Sequence, residues 1–405
     1  MDLQQQIECF KQDPCLPGWD DPYPVYAALR KESAIHWCEG PKLWVIVSYK
    51  EAVDHMKDAR FSRQSHLDEL IDRFGDGHIF ERQKQDLPYM DGREHSRLRH
   101  HVAQAYRGID FQSLADYTVK FLDKRCQAIA DQSVVDLVHE IANPLPVMVV
   151  SELMGVPAEH QEMVCQKVGA FVRARGLTQT QSTVDEADDS MAFYSEYFLP
   201  LIHEKRRHLS DDLLSRLISD HEEDVHLTDE QLLLVISSNF YSASIYTLRL
   251  LVGTLAWSLS MHSEVYSRIR ADRELLAPAL EEVLRWEPPA QAINASTALE
   301  NLEVDGKVVH AGESVSVLVG AANRDPRIFK NPDQFLIDRN PNPHLSFAPG
   351  LHQCLGLHLA RMEGKCVLNA LCDHYESLRV VETRRLIGDR FRGFDRLLLE
   401  TSSVE

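Results

Sequence analysis

Phe347-Ala348-Pro349-Gly350-Leu351-His352-Gln353-Cys354-Leu355-Gly356, running into Leu359-Ala360-Arg361, is the stretch on which the reading of this chain turns. It closes a Pro-rich irregular segment from Pro326 to Pro349, and a helix is predicted to begin after Gly356. Ordered loops of that length are uncommon unless they build a site. Glycines let a backbone come close to another surface, and a helix starting just beyond Cys354 turns its positive end toward the sulfur. A single Cys beside a helix start is ordinarily a small buried apolar residue. The other cysteines, at 9, 15, 38, 126, 165, 366 and 372, form no CxxC pairs and no disulfide-like spacing, and read that way. Only Cys354 sits among residues that suggest chemistry.

Working outward, a strand-like hairpin is expected at Leu302-Glu303-Val304-Asp305-Gly306-Lys307-Val308-Val309, turning on Asp305-Gly306, within a minor β region from about 292 to 318. From about His95 to Leu259 the apolar spacing is mainly helical, as in Leu145-Val147-Met148-Val149-Ser151-Leu153-Met154. Its best helix start is the capping-box pattern Thr228-Asp229-Glu230-Gln231, in front of Leu232–Ile236. Nearer the beginning, a helix over Tyr23–Glu32, a strand over Leu43–Val47 and more helix after Tyr49 are predicted. The fold class is therefore mainly α with a minor β part.

With 405 residues, 44% hydrophobic and 26% charged, the chain can bury a large core. No linker, charge block or repeat divides it, so one domain, 1–405, is expected. A formal charge of −19 argues against a nucleic-acid partner, which needs a concentrated basic face. The polar stretch Met1–Gln12 lacks the apolar run of a signal peptide or membrane anchor, and a cytoplasmic protein with no membrane partner is expected.

The Phe347–Gly356 stretch resembles the haem-binding signature of the cytochrome P450 family: Phe, Gly, a basic residue, Cys and Gly at fixed spacing. Ala348 stands where that signature usually has Gly. Two further motifs keep the family order. Glu282-Val283-Leu284-Arg285, about seventy residues before the Cys, is followed by Asn323-Arg324-Asp325-Pro326 and by Pro332, Phe335 and Arg339; alone, an acid and a base at i, i+3 form a surface pair of little consequence. Asp91-Gly92-Arg93-Glu94-His95-Ser96-Arg97-Leu98-Arg99 carries a His and an Arg one helical turn apart, as two donors converging on carboxylates require. The resemblance spans the chain, from Asp21-Pro22-Tyr23 and Arg60-Phe61-Ser62 to Arg392-Gly393-Phe394.

The resemblance implies the P450 fold, with haem b (iron protoporphyrin IX) buried between an oxygen-activating helix and the Cys loop. Cys354 is then the metal ligand, Phe347 shields the sulfur, and Gly350 and Gly356 permit close approach to the porphyrin. His95, Arg99 and His352 become propionate ligands. Glu282, Arg285 and Arg339 become a buried charge triad with a structural role.

Two departures stand out. The family's oxygen-activating helix carries Ala-Gly-x-(Asp/Glu)-Thr, and the corresponding residues here are Ala243-Ser244-Ile245-Tyr246-Thr247. Thr247 keeps the alcohol, but Tyr246 replaces the acid. A phenol, with an ordinary pKa of about 10, is a poor proton gate near neutrality. Waters, Ser242, Ser244, Asn239 or a substrate hydroxyl could substitute for it. By i, i+4, i+8 spacing, Asn239, Ala243 and Thr247 share a stripe facing the haem. The second departure is Ser296, where the family usually has a propionate-binding Arg.

The resemblance places substrate against residues 63–90, 168–193, the oxygen-activating helix, 289–294 and 391–394, but identity is not legible in such variable surfaces. Phe240, Tyr241 and Tyr246 hint at a flat substrate, although such a stripe is more often core packing. With no flavin or ferredoxin domain fused, electrons are expected from a separate ferredoxin and ferredoxin reductase, docking near Arg97, His352 and Arg361, on a monomer. The leading reading is an O2-dependent monooxygenase of a small secondary metabolite. Alternatives are oxidative coupling or cyclisation, peroxide-driven oxidation, and a non-catalytic haem or ligand binder.

Overall fold

In the computed structural model, residues 1–14, 20–74, 84–167, 181–219, 226–386 and 390–403 are described. Cys15 and parts of two expected substrate-facing segments, 75–83 and 168–180, lie outside them. Contacts group the chain into two interleaved units, one of Met1–Ser62, Leu122–Ala142 and Thr247–Glu405, the other of Arg63–Phe121 and Asn143–Tyr246. Each is assembled from segments distant in the sequence.

The first unit holds the β structure. Ile35–Cys38 and Leu43–Ile46, both mostly buried, form an antiparallel pair, and Leu43–Ile46 then pairs in parallel with Ser314–Val317. Ser296–Ala298 and Phe61–Ser62 complete a five-stranded sheet. Its apolar face packs Ile35, Ile46, Ala52, Val315, Val317 and Leu345 into one core. The expected hairpin is present: Leu302–Val304 pairs with Lys307–Val309, and Asp305 (φ 50°) and Gly306 (φ 72°) take the two left-handed positions of its turn. Val134–Asp136, Tyr375–Arg385 and Phe394–Ser403 form a second, three-stranded sheet. The Tyr23–Glu32 and Tyr49–Lys57 helices fall where the sequence places them.

The second unit is helical. Gly92–Arg107 turns His95, Leu98, His101, Val102 and Ala105 inward, and His101 Nε2 lies 2.9 Å from the Leu217 carbonyl. The capping box forms as read: Thr228 Oγ1 accepts from Gln231 N at 3.2 Å, and Gln231 Oε1 accepts from Thr228 N at 3.1 Å. The backbone form of the next two turns was not legible. Val235–Ser242 is π-helix, eight residues long, before regular helix resumes over Ala243–Met261. π segments are usually a single turn and cluster at functional sites.

Candidate active site

The Cys loop is held by backbone. Ala348 N donates to Leu345 O at 2.9 Å, Gln353 N to Gly350 O at 3.1 Å, and Cys354 N to Phe347 O at 2.9 Å. Gly350 sits at φ 94°, and a Cβ there would stand 2.3 Å from the Met56 carbonyl, so glycine is required twice over. Gly356 is different: the closest heavy atom to its missing Cβ is Cys354 Sγ, at 3.9 Å. Ala348 takes φ 47°, where a side chain costs of order 1 kcal/mol that glycine would not. The Ala348 departure from the motif is thus a backbone strain, although the two residue types differ by only one methyl group. Cys354 is the one exposed cysteine among those described. Burial pushes the Cys126 and Cys372 thiols up to about 11, in keeping with inert packing.

Behind the loop, Leu276–Trp286 presents Glu282 and Arg285, both fully buried. Arg285 meets Glu282 through two bonds of 2.8 Å, and Glu282 also accepts from Leu336 N (2.8 Å), Arg339 Nε (3.2 Å) and Asn342 Nδ2 (3.2 Å). Arg285 spends its remaining protons on the carbonyls of Asn323, Pro332 and Gln334. The carboxylate meets two guanidinium groups and two neutral donors, so the buried anion is paired and fully hydrogen-bonded, as burial demands. Asn323 continues the scaffold by accepting from Leu345 N at 2.7 Å and donating to Ser346 Oγ at 3.0 Å. The family-derived triad is therefore assembled, and it braces the Pro-rich segment that carries the Cys loop.

Arg361, expected to offer its charge at the surface, is engaged. Its guanidinium makes two 2.7 Å bonds to Glu281 and lies 4.6 Å over the Phe347 ring. Burial would raise the Glu281 pKa, but hydrogen bonds from Arg361 and His344 outweigh it and hold the carboxyl down at about 2. Ser296, the missing arginine's position, is buried and lies 3.2 Å from His55 Nε2. Neither His55 nor the Glu281–His344 link was read from the sequence; only their distant partners give them meaning. On Leu357–His374, Glu363 is wholly buried, and neither of its carboxyl oxygens has a hydrogen-bond partner. Burial pushes its pKa up to about 8.

In the helical unit, His95 is buried and Arg99 half-buried, one turn apart. Along the long helix, Asn239, Ser244 and Tyr246 are partly exposed and Ala243 is exposed, while Ser237, Ser238, Phe240, Tyr241, Ser242 and Ile245 are buried. Thr247, the first residue of the other unit's last segment, is again partly exposed. The open face of the helix thus coincides with the stripe Asn239, Ala243, Thr247, with Tyr246 beside it. Phe240 stacks on Tyr106 at 6.1 Å, and Tyr241 packs 5.4 Å from Phe198 and bonds Ser151 at 3.0 Å. Both are core residues.

A sequence model described as cytochrome P450 matches residues 259–386. The biotin biosynthesis cytochrome P450 of Bacillus subtilis (strain 168) is 30% identical over 89% of this chain and 91% of that protein. The cytochrome P450 monooxygenase PikC of Streptomyces venezuelae is 32% identical over 88% of this chain and 85% of its own. Among solved structures, P450BioI in complex with a hexadec-9Z-enoic acid-ligated acyl carrier protein superposes with a TM-score of 0.87 at 29% identity, over 97% of this chain and 100% of that one. The chain belongs to the cytochrome P450 family, haem b oxidoreductases that bind iron through a cysteine thiolate, use O2 and receive electrons from a redox partner. Its own residues fit the group: an accessible thiol on a backbone-fixed turn, beside a glycine whose Cβ would crowd nothing but the sulfur's surroundings. Among the described residues no helix is long and apolar enough to cross a membrane.

Proposed function

We propose that this chain is an O2-dependent monooxygenase that hydroxylates a small organic molecule of secondary metabolism, with Cys354 as the residue that would bind the haem iron. The observation that carries the reading is the exposed Cys354 thiol on its fixed loop, ahead of Leu357–His374. Relatives named for biotin biosynthesis, polyketide biosynthesis and nocardicin C N-oxygenation support a biosynthetic small-molecule substrate.

Bound haem supplies the redox chemistry that reductively activates O2. The chain's residues do the rest. Phe347 covers one side of the sulfur, while Gly350 and Gly356 keep side chains out of the way. His95, Arg99 and His352 are the residues that would hold the propionates through charge-assisted bonds. Thr247 Oγ1 passes protons at the reacting face, Asn239 and Ala243 line that face, and the Tyr246 ring shapes the space offered to substrate. Electrons come from a separate ferredoxin and its reductase, and the working form is a monomer.

One observation favours a second reading. With a phenol in place of the usual acid, hydrogen abstraction from a phenol or heteroaromatic and carbon–carbon joining, without oxygen insertion, becomes a competing outcome. Product mass decides between them. In a reconstitution with NADH, ferredoxin and reductase, on a substrate found by its shift of the haem spectrum, a gain of one oxygen is expected. Loss of two hydrogens supports the coupling reading, and absence of NADH-dependent turnover with any binding compound overturns both.

A further inference from the structure

The long helix carries more buried polar groups than its packing consumes. Ser237 satisfies its hydroxyl in the ordinary way for a helical serine, by donating to the Leu233 carbonyl at 2.7 Å. Ser238, equally buried, instead donates to the carboxylate of Asp86, a residue 152 positions earlier. Asp86 is 1% exposed and opens the turn Leu87–Tyr89, where its carbonyl accepts from Tyr89 N at 2.9 Å. One residue beyond Ser238, both polar atoms of the Asn239 amide are shut away from solvent without a hydrogen-bond partner. A buried amide without partners is unfavourable and calls for a reason, a catalytic role being one. Ser237, Ser238 and Asn239 all fall inside the π segment Val235–Ser242. Ser238, Ser242 and Tyr246 recur at i, i+4, i+8, next to the open stripe of Asn239 and Ala243.

We propose that Asp86 is the proton-supplying acid of this enzyme, acting through Ser238 and the neighbouring Asn239 and Ser242. It takes over, from a different part of the chain, the task that Tyr246 is unsuited to perform. The inference rests on the O2-dependent reading above. Hydroxylation consumes one substrate C–H, one O2, two electrons and two protons, and yields C–OH and water; coupling consumes the same two protons and yields two waters. Both outcomes therefore need a proton source inside the protein. Once protonated, the Asp86 carboxyl gives its proton to Ser238 Oγ, the reverse of the bond seen at rest, while the Ser238 hydroxyl turns to pass its own proton on toward Ser242 and the Asn239 amide oxygen. The carboxylate is reprotonated from solvent between turnovers, so the side chain is unchanged overall. A carboxyl placed beside a hydroxyl is the ordinary equipment of general acid–base catalysis, whereas a phenol near pKa 10 is not.

The test uses the haem-loaded protein with its redox partners. Asp86→Asn keeps a side chain that can bond Ser238 but has no proton to release, and Asp86→Glu keeps the acid. Asp86→Asn should retain haem content, melting temperature and substrate affinity. Its product formation should fall ~100-fold, with NADH oxidised to hydrogen peroxide instead and a larger solvent deuterium isotope effect, and Asp86→Glu should restore coupling. Independently of turnover, the infrared difference between parent and Asp86→Asn in the resting protein should contain a carboxyl band that responds to pH. Unchanged product yield in Asp86→Asn, or weakened substrate binding with intact coupling, overturns the proposal, the latter making Asp86 a substrate contact. If Asp86→Asn does not fold, Ser238→Ala against Ser238→Thr decides: coupling lost in the first and kept in the second is expected, and coupling kept in both overturns it. A parent protein without NADH-dependent turnover defeats the underlying reading, whereas a productive parent matched by its variants defeats the relay alone.

Discussion

The Cys loop, 345–356, and the helix segment 235–246 fail differently when their residues change. In the loop the backbone is the device. Gly350 combines φ 94° with a carbonyl 2.3 Å from where a Cβ would stand, so residue type is dictated by shape. In the helix segment the backbone is helical whatever side chains it carries, so an acid can become Tyr246 without unfolding anything. Chemistry written in backbone geometry stays readable; chemistry hung on a regular element can move elsewhere, as we infer for Asp86.

The largest effect should come from the loop. Cys354→Ala should abolish the red-shifted Soret band of the reduced carbonyl complex that marks thiolate ligation, whereas Cys366→Ala and Cys372→Ala, buried thiols, should keep it. A retained band in Cys354→Ala would break the loop's side of the comparison outright.

Next is the scaffold behind it. Glu282→Ala or Arg285→Ala strands a fully buried charge, and denaturant melts should show a loss of about 3–5 kcal/mol together with poor haem loading. Parent-like melts in both variants would mean that the loop does not depend on its brace.

Glu363 gives a pH-dependent effect. Its carboxyl holds a proton in the folded chain up to about pH 8, while the unfolded chain releases it near the ordinary 4.5. The folded state binds more protons across that window, so stability falls as pH rises from 4.5 to 8 and levels off above, by about 3 kcal/mol between pH 5 and 8. Glu363→Gln should flatten that slope in melts at stepped pH and be the more stable form at pH 8. A slope unchanged in Glu363→Gln would assign the pH dependence to other groups.

The smallest effect belongs to the helix segment. Tyr246→Phe should slow turnover by less than ~3-fold, since a relay role would predict at least ~100-fold. Tyr246→Asp should not accelerate the native reaction. Fast, well-coupled turnover in Tyr246→Asp would restore the family's arrangement and sharpen the question of why this chain lacks it.

Local chemistry made much of this legible. Asp305-Gly306 announced a turn with two left-handed residues, Thr228 and Gln231 announced a helix start, and the spacing of Phe347, Gly350, Cys354 and Gly356 announced the loop. What stayed hidden depends on partners far along the chain. No residue in Val235–Ser242 signals a π turn, Asp86 acquires interest only beside Ser238, and Arg361 reads as a surface cation until Glu281 and Phe347 are found around it. Ala348 is intermediate: its identity was visible, but its strain appears only with its φ.

The carboxylate of Glu282 carries a consequence for how the chain is made. Its bonds from Leu336, Arg339 and Asn342 reach 54, 57 and 60 residues ahead. As the chain leaves the ribosome, Leu276–Trp286 emerges first and must keep Glu282 hydrated until that later stretch is translated. A product that stops short of Leu336 leaves Glu282 with Arg285 but without the later donors that complete its burial, so its apolar helix faces stay open to chaperones and proteases.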